Sequence, residues 1–68
     1  MDKERAGRII AEARVRKGFT QVELARMLNV SQGSVGAWEI GYCFPRPKSM
    51  ILLCDLLDIP IEELMKAG

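Results

Sequence analysis

Histidine is absent from the 68-residue sequence, and cysteine occurs only at Cys43 and Cys54. Without histidine the chain has no conventional structural zinc set and no imidazole to serve as a general base. Two cysteines are too few for the disulfide framework of a small secreted domain, so neither a metal nor a disulfide staple is expected. Long hydrophobic runs are also missing: the longest run of apolar side chains, Met50–Cys54, is five residues, against about 20 for a membrane span. The charged start, Met1-Asp-Lys-Glu-Arg5, lacks the apolar stretch of a signal peptide. Repeats, low-complexity tracts and linkers are absent as well. No paired carboxylates face a pocket and no glycine-rich phosphate loop is present, so the expectation is a non-enzyme with no cofactor and no small-molecule ligand.

What remains is 49% hydrophobic and 28% charged, the balance of a folded chain, with only 6% aromatic residues. The core is therefore expected to be aliphatic and helical. A chain this short buries only about 60% of its unfolded surface, which points to one domain, 1–68, and the lack of a disulfide framework leads to the expectation of the cytoplasm. Net charge is +1, but its distribution is uneven. Up to Lys48 there are nine basic and five acidic residues, whereas Ser49–Gly68 holds one basic and four acidic.

Helix starts and stops divide the chain. Ala6, Ile9, Ile10 and Ala13 form one apolar stripe at i, i+3, i+4 and i+7, and Gly18 ends that first helix. Thr20, with Glu23 three residues on, reads as a capping box that opens a second helix over about Gln21–Leu28. Leu24, Ala25 and Leu28 are its inward face. Asn29 suits a left-handed helix end, and Ser31 caps a third helix over about Gln32–Glu39 only two residues later. So short a break predicts a steep crossing. Val35 and Trp38 turn the third helix inward. Gly41 stops it, and a loop carrying Pro45 leads to a fourth helix with Pro47 in its first turn. Met50, Ile51, Leu53, Cys54 and Leu57 give that helix a broad apolar face, with Cys54 a small buried hydrophobe. A last short helix spans about Ile61–Met65.

The segment Thr20-Gln-Val-Glu-Leu-Ala-Arg-Met-Leu-Asn-Val-Ser-Gln-Gly-Ser-Val-Gly-Ala-Trp-Glu39 resembles the helix-turn-helix of the phage repressor and Cro type, also called XRE-like. Arg14, Lys17-Gly-Phe-Thr-Gln21, Trp38-Glu39 with Gly41, Pro45 and Leu57-Asp-Ile59 match that pattern at fixed offsets, from about Ile10 to Leu64. The resemblance implies an all-α, compact five-helix bundle of the lambda-repressor-like class. It further implies a cytoplasmic, prokaryotic or phage-encoded transcriptional regulator that binds double-stranded DNA, with the third helix in the major groove. By that likeness, base edges fall to Gln32, Gly33 and Ala37, and phosphates to Gln21, Ser34, Tyr42, Arg46 and Lys48. Gln32 suits either adenine, by a bidentate pair, or a guanine edge. Arg14 and Glu39 are implied to form an ion pair between the first and third helices. Lys3, Arg5, Arg8, Arg16 and Lys17 add general attraction to DNA or serve as a solvated face.

Gly33, Gly36 and Ala37 stand where relatives carry long polar base-reading side chains. Either the backbone approaches the bases closely, Ala37 touching a thymine methyl, or specificity comes from DNA shape and residues elsewhere. The loop Tyr42-Cys43-Phe44 is unusual for its two aromatics, and Cys43 is expected as an exposed bystander thiol. Phe44 buries either against a partner subunit, beside Ile61 and Met65, or on its own domain. Two functions compete: a small repressor binding a palindromic operator as a homodimer, and an antitoxin-like or regulatory protein–protein interaction module with weak or no DNA reading.

Overall fold

The computed structural model describes residues 2–67, so Met1 and Gly68 at the ends of the expected domain lie outside it. Five helices follow one another: α1 (Lys3–Arg16), α2 (Gln21–Leu28), α3 (Gln32–Glu39), α4 (Pro47–Leu57) and α5 (Ile61–Ala67). No strand occurs among the described residues. Each boundary has a local cause. Asp2 accepts the Arg5 N–H at 2.9 Å and starts α1, a cap that the sequence reading passed over. Both bonds of the Thr20–Glu23 capping box are present: the Glu23 N–H donates to Thr20 Oγ1 at 3.1 Å, and the Thr20 N–H to Glu23 Oε1 at 2.8 Å. The Thr20 N–H donated to the carboxylate, helped by the Thr20 side chain, favours the ionised form and holds the Glu23 pKa below its ordinary value. Asn29 is left-handed at φ 58, and Ser31 accepts the Ser34 N–H at 3.1 Å to restart the chain as α3. Asp58, at φ 55, closes α4 in the same left-handed conformation. The last helix runs two residues beyond the expected Met65, with acidic Glu62 and Glu63 in its first turn and Lys66 in its last, the order that its dipole favours.

One aliphatic cluster with a single tryptophan forms the core. Ile10, Leu24, Val35, Leu53, Leu57 and Leu64 are fully enclosed, and Trp38 is 6% exposed. The stripe on α1 differs from the one expected. Gly7 is buried and Ile9 only half-buried, because α1 lies against α3 along Gly7. A Cβ built on Gly7 would stand 2.3 Å from the Trp38 carbonyl oxygen and 2.6 Å from that of Glu39. Gly41 makes the second close approach: at φ 82, its missing Cβ would meet Glu4 Cα at 2.8 Å. Two glycines thus seat α1 on the end of α3.

The face of α4 is narrower than the sequence suggests. Leu53 and Leu57 are buried, Met50 and Cys54 are half-buried, and Ile51 is 60% exposed. Ile51 precedes Leu53 by two residues, about 200° around a helix, so the two cannot share a side. Cys54 is consequently not the fully buried residue expected, although burial, with the nearby Glu62 charge, pushes its thiol pKa up. Cys43, expected in an exposed loop, is half-buried and packs on the core.

The close approach at Gly7 is backbone against backbone, with no flexible side chain to yield. Gly7→Ala is expected to lower unfolding free energy by about 3 kcal/mol or more in urea titration, the upper end for overpacking. An unchanged midpoint would mean that α1 and α3 are not in this contact.

Candidate nucleic-acid interface

The short turn after Leu28 sets α2 and α3 with their N-terminal ends side by side, so the first residue of each helix, Gln21 and Gln32, can meet. Gln32 Nε2 donates to Gln21 Oε1 at 3.4 Å. Gln21 is half-buried, and its amide lies inward across α3 instead of extending beyond the first turn of α2. Its Nε2 donates to Glu39 Oε1 at 3.0 Å. The same carboxylate takes Arg14 Nε on Oε2 at 2.6 Å and Arg14 Nη2 on Oε1 at 3.1 Å. Arg14 Nη1 donates in turn to the Phe19 carbonyl at 2.8 Å. A polar chain therefore runs from α1 through the end of α3 to the exposed heads of α2 and α3. Its inner half is largely enclosed, the Arg14 and Glu39 side chains being 15% and 7% exposed. Hydrogen bonding to Glu39 raises the Arg14 pKa further, while burial opposes the shift.

The other candidate residues fall into three places. Gln32 and Gly33 are exposed on the first turn of α3, while Gly36 and Ala37 are half-buried one turn on. Ser34 is half-buried, and its hydroxyl lies 3.0 Å from that of Ser31. Arg46 and Lys48 are exposed at the head of α4 and have no carboxylate partner among the described residues. Lys48 shares a shallow surface with Asn29 and Val30 of the α2–α3 turn. Tyr42 projects into solvent at 77% exposure, next to the equally open Ile40, which the sequence reading did not single out. Lys17, grouped there with the general basic attraction, is ion-paired with Asp58, so its charge is already engaged. Phe44 packs partly on its own core and also lines an apolar groove with Met50, Ile51, Ile61 and Met65.

A family model for helix-turn-helix domains matches residues 10–64, from the middle of α1 into α5. This chain belongs to the Cro/C1-type helix-turn-helix family. No curated protein matches it. Membership indicates a DNA-binding regulator, and no helix among the described residues is long and apolar enough to cross a membrane. In this helix-turn-helix, α2 and α3 are the paired helices, and the Arg14–Glu39 contact joins them to α1.

Sequence reasoning missed Gly7 and the second bond made by Glu39. A glycine three residues before Ile10 and seven before Arg14, on one helix face, was the available sign of a close crossing. Gly33 and Gly36 differ from Gly7. A Cβ at Gly33 would have only Ser31 Oγ nearby, at 3.8 Å, and one at Gly36 would lie 3.9 Å from Gln21 Oε1. Neither has a positive φ. The fold does not require glycine at either place, and each weakens α3 by up to about 1 kcal/mol relative to alanine. Gly33→Ala is expected to raise stability by about 0.5–1 kcal/mol in thermal or urea unfolding; a loss of stability would show a packing constraint at this site.

Proposed function

We propose that the protein is a small repressor that binds a palindromic operator as a homodimer, with α3 in the major groove and half-sites about 34 Å apart. The observation that carries this reading is the exposed head of α3, where Gln32 stands beside the free-N–H end of α2, within the region matched to the family. The N–H groups of Gln21 and Val22 have no acceptor within their own helix, a ready phosphate position. Gln32 reads a base edge, and Gly33 and Ala37 let the helix lie close to the bases, Ala37 against a thymine methyl. Ser34, Tyr42, Arg46 and Lys48, together with the head of α2 at Gln21, hold the phosphates. The groove at Phe44, Ile61 and Met65 supports self-association: its lining is apolar, and Ile61 and Met65 are 41% and 63% exposed.

Modest net charge makes the dimer important, because each subunit brings few cations and the phosphate contribution scales with their number. The test is selection of bound sequences from random duplex DNA, repeated with two variants. Gln32→Ala is expected to change the preferred base at one position per half-site. Lys48→Ala is expected to weaken all sequences alike and to reduce the slope of log K against log salt by about 0.9. Sedimentation should show a dimer that Met65→Asp dissociates. Absence of DNA retention at low salt would overturn the reading in favour of a protein-interaction module, and an unchanged preference in Gln32→Ala would overturn the base-reading role of Gln32.

A further inference from the structure

Leu53 and Leu57 bury one side of α4, and the other side carries a second stripe. Lys48, Ile51, Leu52 and Asp55 recur at i, i+3, i+4 and i+7 and are all exposed, Ile51 at 60% and Leu52 at 37%. The stripe is symmetric about its midpoint, with two aliphatic residues at the centre and one charge of each sign at the ends. Lys48 and Asp55 are two turns apart, about 10 Å along a helix, too far to pair with each other. Neither has an oppositely charged partner among the described residues. Each also stands at the unfavourable end of its own helix: Lys48 is in the first turn, where the dipole is positive, and Asp55 in the last, where it is negative. The order in α5 is the favourable one, with Glu62 and Glu63 first and Lys66 last.

We propose that this stripe packs antiparallel on α4 of a second copy, about a two-fold axis between Ile51 and Leu52. In that register Ile51 faces the partner subunit's Leu52, and Lys48 faces the partner subunit's Asp55. Both charges then also lie beside the helix end that suits them, the head of one α4 meeting the tail of the other. A parallel pairing would set like charges together. Two turns of helix are small against the roughly 800 Å² per partner of a standard interface. The flanks supply the rest, since Ile51 continues into the groove with Ile61 and Met65, and Leu52 into the shallow surface with Met27. The three N–H donors of the Lys48 ammonium allow it to face both the partner's carboxylate and an operator phosphate. The inference rests on the homodimer of the proposed function, and it adds which helix forms the centre of the contact, in which direction and in what register.

Sedimentation equilibrium of the full chain without DNA, at low and high salt, tests this directly. Wild type is expected to dimerise, with an affinity that weakens as salt screens the two symmetry-related pairs. Asp55→Lys sets a lysine against Lys48 at both ends of the contact and is expected to raise the dimer Kd about tenfold or more at low salt. Lys48→Asp is expected to do the same. The combined variant, Lys48→Asp with Asp55→Lys, restores opposite charges and is expected to return to within about threefold of wild type. Ile51→Asp is expected to abolish the dimer at both salt concentrations. All three positions are exposed, so circular dichroism should show each variant folded. Single charge reversals that leave Kd within about twofold would overturn the inference, as would a combined variant weaker than either single one. A wild type that stays monomeric at every concentration removes the homodimer reading itself. A dimer that Met65→Asp dissociates, and that is indifferent to the changes in α4, removes only this contact.

Discussion

The ion pair between Arg14 and Glu39 is the contact on which the geometry of the first three helices depends. Arg14 lies near the end of α1 and Glu39 at the end of α3, 25 residues apart in sequence. The Arg14 guanidinium also holds the Phe19 carbonyl just before α2, and the Glu39 carboxylate holds Gln21 in its first turn. One pair of side chains thus sets three helix ends relative to each other. A largely buried pair is weak support for stability by itself, because removing two charges from water offsets much of their attraction. Here the desolvation is offset by hydrogen bonds on both groups, and no buried side-chain nitrogen or oxygen among the described residues lacks a partner.

The backbone makes that contact possible. Gly7 and Gly41 let α1 settle onto the end of α3 at distances no side chain would allow, which brings Arg14 within reach of Glu39. The remaining charge is arranged elsewhere. Lys17 and Asp58 tie the end of α1 to the end of α4, while Arg46 and Lys48 at the head of α4 have no carboxylate partner among the described residues and are available to an anionic partner. The acidic residues of α5 lie on a helix that packs chiefly on α1 and α4, so they do not form part of the α2–α3 pair.

Much of the fold was legible because its boundaries are local. Thr20 with Glu23, Asn29, Ser31 and Pro47 each act within a few residues, and the extents of α2 and α3 read from them agree with the structure. Features that depend on distant partners were harder to see. Burial of Gly7 requires knowing what lies across from it, and the Lys17–Asp58 pair spans 41 residues. The outward position of Ile51 was recoverable from helical phase, but a run of five apolar residues obscured it. At the site, the family pattern located Gln21, Gln32 and Glu39, yet only the three-dimensional arrangement connects them, because hydrogen-bond polarity does not appear in residue spacing.

The central claim is that Arg14 and Glu39 interact strongly enough to organise α1, α2 and α3. A double-mutant cycle in urea, using Arg14→Met, Glu39→Met and the combined variant, measures that interaction without counting the lone charge that each single change leaves behind. A coupling of about 2 kcal/mol or more is expected for a largely enclosed pair joined by two hydrogen bonds. A value below about 0.5 kcal/mol, that of an ordinary surface pair, would contradict it.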